Sequence, residues 1–136
     1  MAGYSATPLV KKLGIQEGFS LLIIDEPKNY KTLIGEFPSG VKEVKQNFKE
    51  VDFIHAFVKS ADQLKQGMPG WMKQLKQNGM IWISWYKKSS GLTTDITEDV
   101  IRSIALPLGL VDVKVCAVDE QWSGLKLVIR KENRKS

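Results

Sequence analysis

Three runs of mostly apolar residues constrain this chain more than anything else in it. They are residues 19–25 (FSLLIID), 52–58 (DFIHAFV) and 80–85 (MIWISW). Each is bounded by turn-formers and is too short for a buried helix. Each also lacks the apolar–polar alternation of a strand with one wet face. Such runs fit strands buried on both faces, which is the condition of strands in a parallel sheet covered by helices.

The segments between the runs read as helices. Thr7 can cap a short helix with Pro8 in its first turn, Lys11 and Lys12 in its last and Gly14 to end it. Residues 28–34, closed by Gly35, form a second. Residues 37–47 are weakly patterned, with a short strand expected around 41–44. Ser60-Ala61-Asp62-Gln63 has the capping-box form and opens a helix with Leu64, Met68, Trp71, Met72 and Leu75 at helical spacing. Pro69 is expected to break or kink that helix, and Asn78-Gly79 to end it. Thr97-Glu98-Asp99-Val100 caps another, running to about Leu106. Residues 111–118 and 125–131 read as strands joined by a connection too short for anything but antiparallel pairing.

Strand–helix alternation with short links implies right-handed crossovers and a parallel sheet. The fold class expected is α/β: a three-layer Rossmann-like domain with a mostly parallel sheet and a C-terminal antiparallel hairpin that adds one antiparallel edge strand. The 136 residues suit a single domain, with residues 1–18 as an N-terminal helical arm and 131–136 as a basic tail.

Composition narrows the function classes. Cys116 is the single cysteine and His55 the single histidine, which excludes an internal disulfide and makes a zinc site improbable. No stretch approaches the roughly 20 apolar residues of a membrane span, and the start lacks a secretory signal, so a cytoplasmic protein without membrane contact is expected. The net charge of +5 comes from scattered lysines and the tail. It permits phosphate-bearing partners, but no arginine-rich helix or RNA-binding aromatic motif accompanies it, so nucleic acid is disfavoured. The simplest account of the charge is a solvated surface with a frayed tail.

Two resemblances follow from particular residues. The order of elements from Val51 to Arg130, with the phrase Gln77-Asn78-Gly79-Met80-Ile81-Trp82-Ile83-Ser84, resembles the second half of a class I methyltransferase domain. Nearly the whole chain resembles a family of small bacterial proteins catalogued as a domain of unknown function. That likeness is carried by residues 3–9, Lys11-Lys12-Leu13-Gly14, the strand at 79–84, Lys88, residues 106–110, Asp119 and, most specifically, Trp122-Ser123-Gly124 before residues 125–130. It implies a fold and no activity.

A methyltransferase holds its cofactor at a glycine-rich turn after the first strand, where backbone approaches the ligand. Here that turn reads Ile24-Asp25-Glu26-Pro27-Lys28-Asn29-Tyr30, without a glycine, and the dinucleotide fingerprint is missing with it. Asp25 and Glu26 read as a solvated turn before the next helix. His55 shares a strand face with Phe53 and Phe57 and reads as a core histidine held by one hydrogen bond. Cys116 reads as an inert, packed thiol. No catalytic residue is assigned.

The stretch with most ligand chemistry leaves the C-terminal end of the 80–85 strand. Trp85, Lys87, Lys88, Ser89, Ser90 and Asp95 lie there, with Asp119, Trp122 and Ser123 of the hairpin loop expected nearby. That edge is where open α/β sheets place ligands, and two lysines among hydroxyls suit an anion. The leading expectation is therefore a non-catalytic module that binds a small anionic ligand or a protein partner, with no cofactor and no metal. Two alternatives stay open. One is a divergent methyltransferase-like enzyme, and the other a structural or regulatory subunit pairing through exposed tryptophans, homo-oligomerisation included.

Overall fold

The structure is a computed structural model that describes residues 8–45 and 48–135. Thr7 as a helix cap, and the part of the family resemblance on residues 3–7, lie outside the described residues. In chain order the elements are α1 (Leu9–Leu13), β1 (Ser20–Ile24), α2 (Tyr30–Ile34), β2 (Lys42–Glu43), β3 (Val51–Phe57), α3 (Ala61–Gln74), β4 (Leu75–Tyr86), α4 (Glu98–Ala105), β5 (Leu110–Ala117) and β6 (Trp122–Ile129). Short 3-10 turns follow β4, α4 and β6.

All six strands form one sheet in the order β2-β1-β3-β4-β6-β5. The pairs β1–β2, β1–β3 and β3–β4 are parallel, while β6 runs antiparallel to both β4 and β5. The chain steps outward from β1 to β2 and then returns to lay β3 on the other side of β1. The strand order thus reverses between β1 and β3, and a crevice opens at the carboxyl ends of those two strands.

The apolar runs bury both faces, as their continuity requires. One cluster takes Leu22, Ile24, Ile54, Ala56, Ile81, Ile83 and Trp85 from the sheet and packs them against Leu64 and Met68 of α3 and Ile101 and Ala105 of α4. The other joins Leu21, Phe53, Phe57, Trp82 and Trp122 to Val10 and Leu13 of α1 and Tyr30 and Ile34 of α2. Trp82 also donates its indole N–H to the Leu13 carbonyl at 2.8 Å, tying the end of α1 to the sheet. Ser60 caps α3 through the Gln63 N–H, and Thr97 caps α4 through the Val100 N–H. No helix among the described residues is long and apolar enough to cross a membrane.

Four expectations are corrected. The antiparallel strand, β6, lies inside the sheet and β5 forms the edge. The reason is burial: β6 presents apolar residues to both layers, whereas Val113, Lys114, Val115 and Ala117 of β5 are exposed. Of the break or kink expected at Pro69, the break does not occur, since α3 continues to Gln74. Pro69 and Lys65, whose carbonyl loses its usual partner, both face solvent, so water can supply the missing bond.

Asn78-Gly79 does not end that helix either. Leu75 is already extended, and β4 runs from it through an irregularity in which Leu75 pairs with Val51 and Met80 with Phe53. A Cβ on Gly79 would stand 3.0 Å from the carbonyl oxygens of both Val51 and Asp52, so the glycine serves close strand approach. The tail is not frayed through Lys135. Asn133 donates to the Gly109 carbonyl, Arg134 to the Ile129 carbonyl, and the Lys135 N–H to Gln77.

Candidate functional site

Strand ends determine what meets at the carboxyl edge of the sheet. β1 delivers Asp25 and Glu26, β3 delivers Lys59, β4 ends on Tyr86, and the β5–β6 loop brings Asp119 to Trp122 over them. Together with Lys12 of α1 and the residues 27–29 before α2, they enclose a cleft of about 980 Å³. That is the size range of small-molecule sites, roughly 300–1,000 Å³, and it lies where the strand order reverses.

The hairpin loop over the cleft is held by Asp119. Its Oδ1 accepts from the N–H groups of Gln121 and Trp122, both at 2.8 Å, and its Oδ2 faces the Asn29 amide across the cleft at 3.5 Å. The Gln121 carbonyl in turn accepts from the Lys87 N–H at 2.8 Å, which joins the hairpin to the end of β4. Trp122 is packed edge-on against Phe57, with centroids 5.0 Å apart, and lies 4.4 Å from the Tyr86 ring.

The charges of the cleft divide into engaged and unengaged. Asp25 accepts from Gln63 at 2.6 Å, Glu26 faces Lys31 at 3.4 Å, and Asp119 serves its own loop. Among the described residues, the ammonium groups of Lys12, Lys28 and Lys59 have no hydrogen-bonded partner, and of the cleft's carboxylates only Glu120 shares that condition. The acceptors that face the cleft are mostly spoken for by protein donors. Its lysine donors are free for an anion.

A second, smaller cavity of about 520 Å³ is lined by Trp85, Tyr86, Lys87, Lys88 and the start of α4. Successive strand residues point to opposite faces. Accordingly Trp85 joins the α3/α4 cluster, while Tyr86 packs with the α1/α2 cluster. Tyr86, at the end of β4, lines both cavities.

The structure therefore divides the residues singled out in the sequence. Trp85, Lys87 and Lys88 line the small cavity, and Asp119 and Trp122 line the large one. Ser90 is occupied by the loop itself, donating to the Lys87 carbonyl at 2.6 Å and accepting from the Leu92 N–H. Asp95 accepts from the Ala61 N–H at the start of α3. Ser89 is exposed and lines neither cavity, and Ser123 lies within β6, paired with Trp85 and Ala117. All four tryptophans are buried, so a partner surface of exposed tryptophans is not present. The indoles complete the two cores instead.

Lys12, Lys28, Asn29 and Lys59 carry no signal of a site in the sequence, where Asp25 and Glu26 read as a solvated turn. Asp25 is one of two described non-glycine residues with positive φ, at +54°. Aspartate tolerates this left-handed conformation better than most residues, and such outliers concentrate at functional edges.

His55 and Cys116 have structural settings. His55 is fully buried, with Nδ1 2.9 Å from the Tyr30 hydroxyl and Nε2 2.7 Å from the Ser84 hydroxyl. The ring makes two hydrogen bonds, one more than expected, with one nitrogen donating and the other accepting. It stacks on Phe57 at 4.2 Å. Burial pushes the imidazole pKa down to about 3, so the ring is neutral at physiological pH. Burial also raises the Tyr30 phenol, with Glu26 and Glu43 adding to the shift. Cys116 is half-buried, and burial raises its thiol against the pull of Lys114 and Lys12, which leaves a poor nucleophile. No cluster of metal ligands occurs among the described residues.

No family model matches the chain, and no curated protein matches it by sequence. Solved structures do match by shape. A SAM-dependent methyltransferase from Aquifex aeolicus is similar at 15% identity and TM-score 0.60, over 89% of this chain and 88% of that one. Fibrillarin from Aeropyrum pernix, in complex with natively bound S-adenosyl-L-methionine, is similar at 14% identity and TM-score 0.57, over 93% and 70%. A TehB-like SAM-dependent methyltransferase from Corynebacterium glutamicum is similar at 10% identity and TM-score 0.55, over 95% and 91%. The Rossmann-like fold of class I methyltransferases is thus shared across nearly the whole chain, beyond the second half in which the sequence shows it. At such identities the likeness is one of fold.

The residues present do not fit that fold's cofactor. The turn after β1 carries Glu26, Pro27, Lys28 and Asn29, all of which line the cleft, and the Asn29 side chain reaches across it to Asp119. Glycine would leave bare backbone there for a ligand to approach. Here the turn has no glycine, and the Asn29–Asp119 contact crosses that approach.

Proposed function

We propose that this chain is a non-catalytic binding module of methyltransferase fold that holds a small anionic ligand in the cleft over β1 and β3. The observation that carries the reading is the set of free donors there: Lys12, Lys28 and Lys59 are unengaged, while of the four lining carboxylates Asp25, Glu26 and Asp119 already accept from protein donors and Glu120 alone is free. Lysine donors to phosphate or carboxylate oxygens form strong, charge-assisted hydrogen bonds. The three come from α1, the β1–α2 turn and the β3–α3 turn, so an anion among them would also tie those segments together. The primary site then lies at the same edge of the sheet as the lysine loop after β4, but on the other side of Tyr86.

The rival reading, a divergent methyltransferase-like enzyme, draws on the shared fold and requires the cofactor to fit the glycine-free turn. Thermal unfolding in the presence of adenosine monophosphate (AMP) or S-adenosylmethionine separates the two. AMP should raise the melting temperature of the wild type, and Lys28→Ala/Lys59→Ala should lose that rise while unfolding normally without ligand. Exposed substitutions of this kind change stability by only about 0.5 kcal/mol. A rise with S-adenosylmethionine and none with AMP would overturn the proposal in favour of the enzyme.

A further inference from the structure

The two cavities at the carboxyl edge share one residue, Tyr86, and each is lined by lysines whose ammonium groups have no partner among the described residues. In the small cavity the carboxylates of Glu98 and Asp99 are both held by Arg102, at 3.1 and 3.2 Å. Lys87 and Lys88 have no carboxylate partner among the described residues. Their linings draw on different layers: Trp85 and Ile96 of the small cavity belong to the α3/α4 cluster, and Leu9 and Leu33 of the large cleft pack on the α1/α2 cluster. Tyr86, the last residue of β4, is half-buried, lies against the Trp122 ring and lines both cavities.

We infer that the ligand straddles the end of β4, with one anionic group at Lys28 and Lys59, a second at Lys87 and Lys88, and a flat ring over Tyr86. The inference rests on the reading of the large cleft given above and names the class of molecule that site takes: a small molecule carrying two separate anionic groups with a flat ring. A ligand with one anionic group fills only one of the lysine pairs. A tyrosine ring at the crossing accepts a planar group by stacking and has the hydroxyl to bond at its margin. Lys59 strengthens the link between the sites, since its carbonyl accepts from Thr94 of the loop that carries Lys87 and Lys88.

Calorimetric titration of the full chain with AMP and with adenosine 3′,5′-bisphosphate tests this. The bisphosphate should bind at least about tenfold more tightly than AMP, the effect of one added charge-assisted contact. Lys87→Ala/Lys88→Ala should remove that advantage and leave AMP binding unchanged, and Tyr86→Leu should weaken both nucleotides. Inorganic phosphate serves as a ring-free control and should bind more weakly than AMP. If AMP binds through Lys28 and Lys59 but the bisphosphate gains nothing, the straddling ligand is overturned while the cleft remains a binding site. If neither nucleotide binds, both are overturned.

Discussion

Asn29 and Asp119, ninety residues apart in the chain, face each other across the cleft with Nδ2 and Oδ2 3.5 Å apart. The contact joins the turn after β1 to the loop of the last hairpin, and it occupies the side of the cleft where methyltransferases of this fold present glycine. Asp119 has a second duty, since its other oxygen holds the Gln121 and Trp122 N–H groups. The same side chain therefore shapes the hairpin and narrows the cleft.

Asp119→Ala should lower stability by about 1 kcal/mol, the net worth of the bonds it accepts at a partly exposed site. Asp119→Asn should recover most of that, because an amide oxygen accepts the same N–H groups. Chemical denaturation of the three proteins measures both effects, and equal loss in the two variants would mean that charge matters there and loop geometry does not.

The buried chain Tyr30–His55–Ser84 makes a stability prediction of its own. Tyr30→Phe removes one partner from a fully buried ring nitrogen, and an unsatisfied buried polar group costs about 1–3 kcal/mol. Ser84→Ala should cost a similar amount from the other side. Nucleotide affinity should stay nearly unchanged in both variants, since neither side chain lines a cavity.

The same histidine predicts how stability varies with pH. Its pKa is about 3 when folded, against an ordinary value of 6.5. Above pH 6.5 it is neutral in both states and its contribution is fully present. As pH falls from 6.5 towards 3, only the unfolded chain takes up the proton, and stability declines by about 1.4 kcal/mol per pH unit. His55→Gln should flatten that stretch of the stability–pH curve, as followed by denaturant midpoints between pH 7 and 4. A variant curve parallel to the wild type would show that His55 is not the group responsible.

Gly79 reports on the sheet. A methyl there meets two carbonyl oxygens and Leu75, the last at 2.8 Å, so Gly79→Ala should destabilise by about 1–3 kcal/mol. Gly70, whose added Cβ meets nothing within 4 Å, is the control, and Gly70→Ala should be neutral or stabilising. Equal effects at the two positions would contradict the assignment of Gly79 to close strand packing.

Strands β1, β3 and β4 are legible in the sequence because a run apolar on both faces has few other places to go. The caps at Ser60 and Thr97 are legible because their bonds are local. Gly79 is misread because a glycine in a strand irregularity and one after a helix look alike until the partner strand is known. β6 is misplaced at the edge because hairpin order along the chain does not say which arm meets β4. The residues after β4 stand out in the sequence because lysines and hydroxyls cluster there within one loop. The large cleft gathers Lys12, Lys28, Lys59 and Tyr86 from four separate segments, and only the reversal of strand order brings those together. Asp25 and Glu26 stand at that reversal, which makes the end of β1 the sequence signal most worth following.

Calorimetric titration of the wild-type chain with S-adenosylmethionine and AMP, side by side at low ionic strength, tests the central claim most directly. A module that holds an anion among Lys12, Lys28 and Lys59 behind a glycine-free turn should give measurable heat and a defined Kd with AMP, and none with S-adenosylmethionine. Low-micromolar binding of S-adenosylmethionine, with AMP inert, would contradict it and favour the methyltransferase-like reading.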